Sequence, residues 1–142
     1  MKLSEETIEA FHDSLSRCQA SRDFIARFYD KFVGSHPAVA AKFAGVNMRK
    51  QAAVLHASLH MVVLASQNNE AAELYLSKIA EKHARSRLDI APELYDFWLE
   101  SLMETVAESD PHYSAAIERA WRDILASGIA FMRSRYDAAG PA

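Results

Sequence analysis

Little in this 142-residue chain can cross-link, kink or anchor it. One cysteine, Cys18, cannot close an internal disulfide, and the same count excludes four-thiolate zinc sites and iron–sulfur clusters. Glycine and proline number four each, too few for a glycine-rich phosphate loop or a turn-dense all-β fold. The longest uninterrupted apolar run, Met61 to Ala65, is far too short to span a bilayer. Positive charge is scarce as well: 16 Lys and Arg against 19 Asp and Glu leave a net charge of −3, which offers nothing to a nucleic acid. The start, MKLSEETIEAF, is acidic and lacks an apolar core, so it does not read as a signal peptide. These absences point to a cytoplasmic protein with no membrane partner.

What is present is helix. Half the residues are hydrophobic and a quarter charged, and the apolar positions recur at helical spacing throughout. Ser4 before Glu5 and Glu6 predicts a first helix start, because acids complement the N-terminal dipole. Ser21 is a candidate cap for a second helix with Ile25, Phe28, Tyr29, Phe32 and Val33 on its apolar stripe, and Gly34 a candidate stop. Ser35-His36-Pro37 predicts a short helix reaching Phe43, followed by a loop at Gly45. Asn47 caps a long helix to about Ala65, and Asn68-Asn69 separates it from another over about Glu70 to Ala84. Pro92 suits the first turn of a helix carrying Leu94, Tyr95, Trp98, Leu99 and Leu102. Asp110-Pro111, an acidic cap and a first-turn proline, predicts a last helix running to about Tyr136, with a frayed tail from about residue 137. The expectation is one all-α domain over residues 1–142, with about seven helices.

Most motifs can be set aside. No G-x-G-x-x-G, P-loop or G-x-S-x-G occurs. His56 and His60 have the i, i+4 spacing of zinc-binding pairs, but HASLH lacks the glutamate of H-E-x-x-H. Glu9-x-x-His12 occurs once where di-iron bundles need the motif twice, and reads as a solvated face. Arg133 and Arg135 read as ordinary surface. Three other polar groups are harder to dismiss. His83 projects from the stripe Leu76, Ile79, Ala80; Gln51 shares a face with Leu55, Leu59 and Val62; and Tyr29 sits between Phe28 and Phe32. Each has an ordinary explanation alone: a buried imidazole or phenol hydrogen-bonded to a neighbour for His83 and Tyr29, and a surface glutamine near a helix start for Gln51. Together, three polar tips on three apolar faces could ring a cavity, and buried polar groups need partners.

From about residue 4 to 136 the chain resembles the single-domain bacterial globins and the haem domain of flavohaemoglobins. Arg27-Phe28-Tyr29-Asp30-Lys31-Phe32 is similar to that family's second helix, whose tyrosine enters the distal pocket. Phe43 falls where these globins keep a phenylalanine against the haem. Gln51 and Leu55 look like the distal glutamine and the apolar residue four positions on, and Lys82-His83 matches the proximal iron ligand. Pro92-Glu93-Leu94-Tyr95 resembles the opening of the next helix. Met132-Arg133-Ser134-Arg135 lacks the glutamate that, with the tyrosine, buttresses the family's proximal histidine. The resemblance implies a globin fold around haem b, with His83 as metal ligand, Tyr29, Gln51 and Leu55 as the distal pocket, and Phe43 and Tyr95 as further cofactor contacts. It implies reversible binding of O₂, NO or CO, as a monomer or homodimer. Nitric oxide dioxygenation would need a separate reductase. The alternatives are a haem-based gas sensor signalling to a partner protein, and a globin-fold interaction module without haem. Arg85 and Arg87 are candidate partners for the haem carboxylates.

Overall fold

The computed structural model describes residues 3–84 and 87–136, so Arg85 and the tail from residue 137 lie outside the described residues. Among the described residues there are seven helices and no strand: α1 (Glu5–Gln19), α2 (Phe24–Ser35), α3 (Pro37–Phe43), α4 (Met48–Ser66), α5 (Glu70–His83), α6 (Leu94–Ser109) and α7 (Ala115–Ser134). Three starts follow the expected chemistry. The side chains of Ser4, Asn47 and Asn69 accept from the first free N–H groups of α1, α4 and α5. At α3 the His36 ring does the same, Nδ1 accepting from the Ala38 N–H at 3.0 Å, and Gly45 takes a positive φ of 75° in the loop beyond.

Four expected boundaries move. Helix α2 is capped at Asp23 rather than Ser21, whose hydroxyl instead donates to Asp23. Gly34 does not end α2; the helix runs on to Ser35, and extended backbone at His36 breaks it without a left-handed glycine. Pro92 precedes α6 in a turn, its carbonyl accepting from Tyr95 N–H. Asp110-Pro111 is not a helix start: Asp110 closes α6, and α7 begins at Ala115 under a Ser114 cap. The Asp110 carboxylate is engaged elsewhere. It accepts from Ser14 Oγ at 2.6 Å, from Arg17 at 2.6 and 2.9 Å, and from His112 N–H at 2.8 Å.

Helix α2 packs on α6, α4 on α5 and α1 on α7, with α7 also reaching α4, α5 and α6. The core is fullest where α1, α6 and α7 meet, around Phe11, Leu15, Leu102, Val106, Trp121 and Ile124. Elsewhere, residues of α2, α4, α5 and α6 line a cleft.

Candidate functional site

The cleft has a volume of about 340 Å³, within the range of small-molecule and cofactor sites, and its walls are largely apolar. All six residues singled out in the sequence line it: Tyr29 from α2, Phe43 from α3, Gln51 and Leu55 from α4, His83 from α5 and Tyr95 from α6. Helical periodicity explains the convergence. Tyr29 and Phe32 share a face of α2, while Gln51, Leu55, Leu59 and Val62 descend one stripe of α4, and that stripe forms a wall.

His83 is the last residue of α5. Its Nδ1 lies 2.7 Å from the carbonyl oxygen of Ile79, one turn back. A carbonyl can only accept, so Nδ1 carries the proton, and Nε2 keeps its lone pair. Burial lowers the pKa of His83, outweighing the bond to Ile79, so the ring is held neutral. A neutral imidazole in a fixed tautomer on a cavity wall is a metal ligand in waiting. The orienting acceptor is thus a backbone carbonyl of the same helix, and not Tyr95.

Across the cleft, the Tyr29 hydroxyl donates to the main-chain carbonyl of Gln51 at 3.2 Å. Burial pushes this phenol up to about 12, so it remains a donor. Tyr29 packs edge-on against Phe43, ring centroids 5.7 Å apart, and Phe43 packs likewise on Phe32. Gln51 meets Tyr29 through its backbone, while its partly exposed side chain stands at the cavity edge. Tyr95, also raised to about 12 by burial, lines the wall beside α7. Next to it Asp96 pairs with Arg133 at 2.6 Å, so an arginine salt bridge stands where an acid on α7 was missing from the sequence.

The rim completes the site. Val46, Val54 and Leu88 are 37%, 42% and 55% exposed, unusual for large apolar side chains, and all three border the cleft. A flat apolar guest would cover them. Two cations that the sequence did not single out, Lys42 and Lys82, flank the same mouth. Lys42 Nζ donates to the Leu88 carbonyl at 2.9 Å, and Tyr136 donates to Asp89, so the segment after His83 is tied to both α3 and the end of α7. Arg87 is exposed and is not part of the cavity wall. The signal for the lysines was their adjacency to Phe43 and His83; nothing local distinguishes them from other surface lysines.

The family model for globins matches residues 26–132. The chain belongs to the globin family. Among solved structures it is similar to the protein PA3967 of Pseudomonas aeruginosa PAO1, described as structurally highly homologous to a human hemoglobin. The two share 37% sequence identity and superpose with a TM-score of 0.86, over 92% of this chain and 98% of the other. Nothing among curated proteins matches. The expected all-α globin fold and the expected family both hold. Membership carries haem-based binding of diatomic gases as the general function. The residues present fit that group: an unengaged imidazole lone pair, apolar walls, an apolar rim and two cations at the mouth for carboxylates. No helix among the described residues is long and apolar enough to cross a membrane.

Proposed function

We propose that this globin holds haem b between α4 and α5 and binds O₂, NO and CO reversibly, with His83 as the iron ligand. The observation that carries this reading is the His83 ring, whose Nδ1 is tied to Ile79 and whose Nε2 lone pair is left for a metal. Haem, when bound, supplies an iron atom on which diatomic gases coordinate. The chain's own groups do the rest. His83 stays neutral and fixed, so the ligand field does not wander with ring rotation. Phe43, Leu55 and Val62 exclude water and pack the ring faces, and Lys42 and Lys82 balance the carboxylates at the mouth. The Tyr29 hydroxyl, now bonded to the Gln51 carbonyl, is the donor within the cavity that a partly negative gas ligand would recruit, with the Gln51 amide behind it.

A tyrosine donor slows release of O₂ more than of CO, because O₂ draws more negative charge. Slow release suits chemistry or sensing better than delivery. We take the reaction to be oxidation of NO by O₂ to nitrate, with a separate reductase supplying the one electron that each turnover consumes. His83 gives its Nδ1 proton to the neutral Ile79 carbonyl, and the Asp96 carboxylate near Tyr95 is taken by Arg133, so no carboxylate pushes electrons through the ring, which favours reversible binding over rapid turnover. Gas sensing through a partner remains the competing role, and the two differ in whether NO is consumed.

The deciding experiment is an absorption spectrum after haem reconstitution, oxidised and reduced, with and without O₂. A Soret band with a stable oxygenated form is expected for the chain, and a lost or altered ligand field for His83→Ala. An unchanged spectrum in that variant would overturn the ligand assignment. NO consumption above that of free haem, with reductase supplied, separates dioxygenation from sensing.

A further inference from the structure

Three of the six histidines meet on a face away from the cleft. His56 and His60 lie one turn apart on α4, ring centroids 5.1 Å from each other, and His12 of α1 stacks on His60 with centroids 6.2 Å apart at 22° between planes. The sequence shows only an isolated His-x-x-x-His and an isolated Glu-x-x-His; side-chain contacts between α1 and α4 make them one group. We propose that His12, His56 and His60 form a site for one divalent cation of the zinc, nickel or copper class, bridging α1 to α4.

The chemistry favours that class. Imidazole nitrogens suit zinc, nickel and copper, and the count of three leaves a coordination position for water. A zinc–nitrogen bond of about 2.0–2.1 Å brings two imidazoles on one ion to centroid separations of roughly 5–6 Å, close to those of His56 and His12 from the central His60. Gln19 adds what a metal histidine needs behind it: its amide nitrogen lies 2.7 Å from His56 Nδ1. Turning that amide by half a rotation lets its carbonyl accept from Nδ1–H and leaves Nε2 to the metal. His60 is shifted towards its neutral form by burial, then by His56 and His12, and no carboxylate contributes to that shift. As the side chains stand, no three His, Cys, Asp or Glu among the described residues converge on one point. His12 and His56 are exposed, and convergence requires their rings to turn, His56 together with the Gln19 amide.

A bound ion would clamp α1 to the helix whose Leu55, Leu59 and Val62 stripe forms the cleft wall. The test is titration of Zn²⁺ into the 142-residue chain and into its His83→Ala variant, which removes the cleft imidazole, followed by calorimetry and thermal melting. Saturable one-to-one binding with a raised Tm is expected in both. His60→Ala and His56→Ala should abolish it, and His12→Ala and Gln19→Ala should weaken it by about tenfold or more. Copper(II) spin resonance should show three coupled nitrogens, falling to two in His12→Ala. Binding that survives His60→Ala overturns the site; binding indifferent to His12→Ala overturns the bridge between helices. Circular dichroism on the exposed-site variants His12→Ala and His56→Ala distinguishes lost binding from lost fold.

Discussion

The two ends of this molecule treat buried polar groups in opposite ways. Where α1, α6 and α7 meet, the buried polar side chains form a closed network: Trp121 Nε1 donates to Ser14 Oγ at 2.9 Å, Ser14 donates to Asp110, and Arg17 holds both carboxylate oxygens. In the cleft, Tyr29 borrows a main-chain carbonyl, and His83 offers its second ring nitrogen to nothing among the described residues. A satisfied network is worth more to folding than to chemistry, because its members have no valence left. A group that burial strips of water and the fold leaves half-partnered has a use for a ligand. The difference separates scaffold from site without reference to any relative.

The comparison can be broken from either end. Asp110→Ala should have the largest effect on stability. It leaves Ser14 and Arg17 without their acceptor and loosens the Ser14 hydroxyl that receives Trp121, and a broken buried ion pair costs about 3–5 kcal/mol in chemical denaturation. Haem affinity of the fraction still folded should be unchanged. The same carboxyl predicts an acid limb. Burial alone would raise its pKa, yet the bonds from Arg17, Ser14 and the His112 amide hold it at about 2. A depressed carboxyl contributes stability above its unfolded pKa of about 3.9 and loses it as pH falls towards 2. Melts between pH 5 and 2 should show that decline in the parent chain and a flatter one in Asp110→Asn.

His83→Ala should do the reverse. Its ring is half-buried and makes one hydrogen bond to the chain, so the protein without haem should lose at most about 1 kcal/mol, while the native haem spectrum disappears. Tyr29→Phe lies between. Losing one 3.2 Å bond to a backbone carbonyl should cost about 0.5–1.5 kcal/mol, with O₂ dissociation accelerated well beyond that of CO. An unchanged O₂ rate in stopped flow would move the donor role to Gln51.

These contrasts also show which parts of the fold the sequence could disclose. Residues spaced along one helix were legible: the Gln51–Leu55–Leu59–Val62 stripe and the caps Ser4 and Asn47 behave as local chemistry says they must. Partners distant in the chain were not. Asp110-Pro111 carries every local mark of a helix start, and it fails as one because Ser14 and Arg17, more than ninety residues earlier, claim the carboxylate. Likewise Tyr29 was visible as a polar tip, whereas its choice of the Gln51 carbonyl depends on how α2 meets the first turn of α4. The three-histidine face was invisible for the same reason: His12 and His60 become neighbours only when the fold brings side chains of α1 and α4 together.

The smallest effect is the sharpest test of the contrast. Gly128 of α7 faces Val62 of α4, and a Cβ there would lie 3.1 Å from one Val62 methyl. In a packed core that approach would cost stability, but Val62 borders the cleft and has room to yield in that direction. Alanine gains about 1 kcal/mol over glycine inside a helix, so Gly128→Ala should leave the haem-free chain unchanged or up to about 1 kcal/mol more stable. The displaced Val62 then enters the space a haem needs, and haem affinity should fall. Stability and binding moving in opposite directions at one residue would mark this wall as shaped for a guest. If both fell together, Val62 would be ordinary core, and the boundary between scaffold and site would have to be drawn further out along α4.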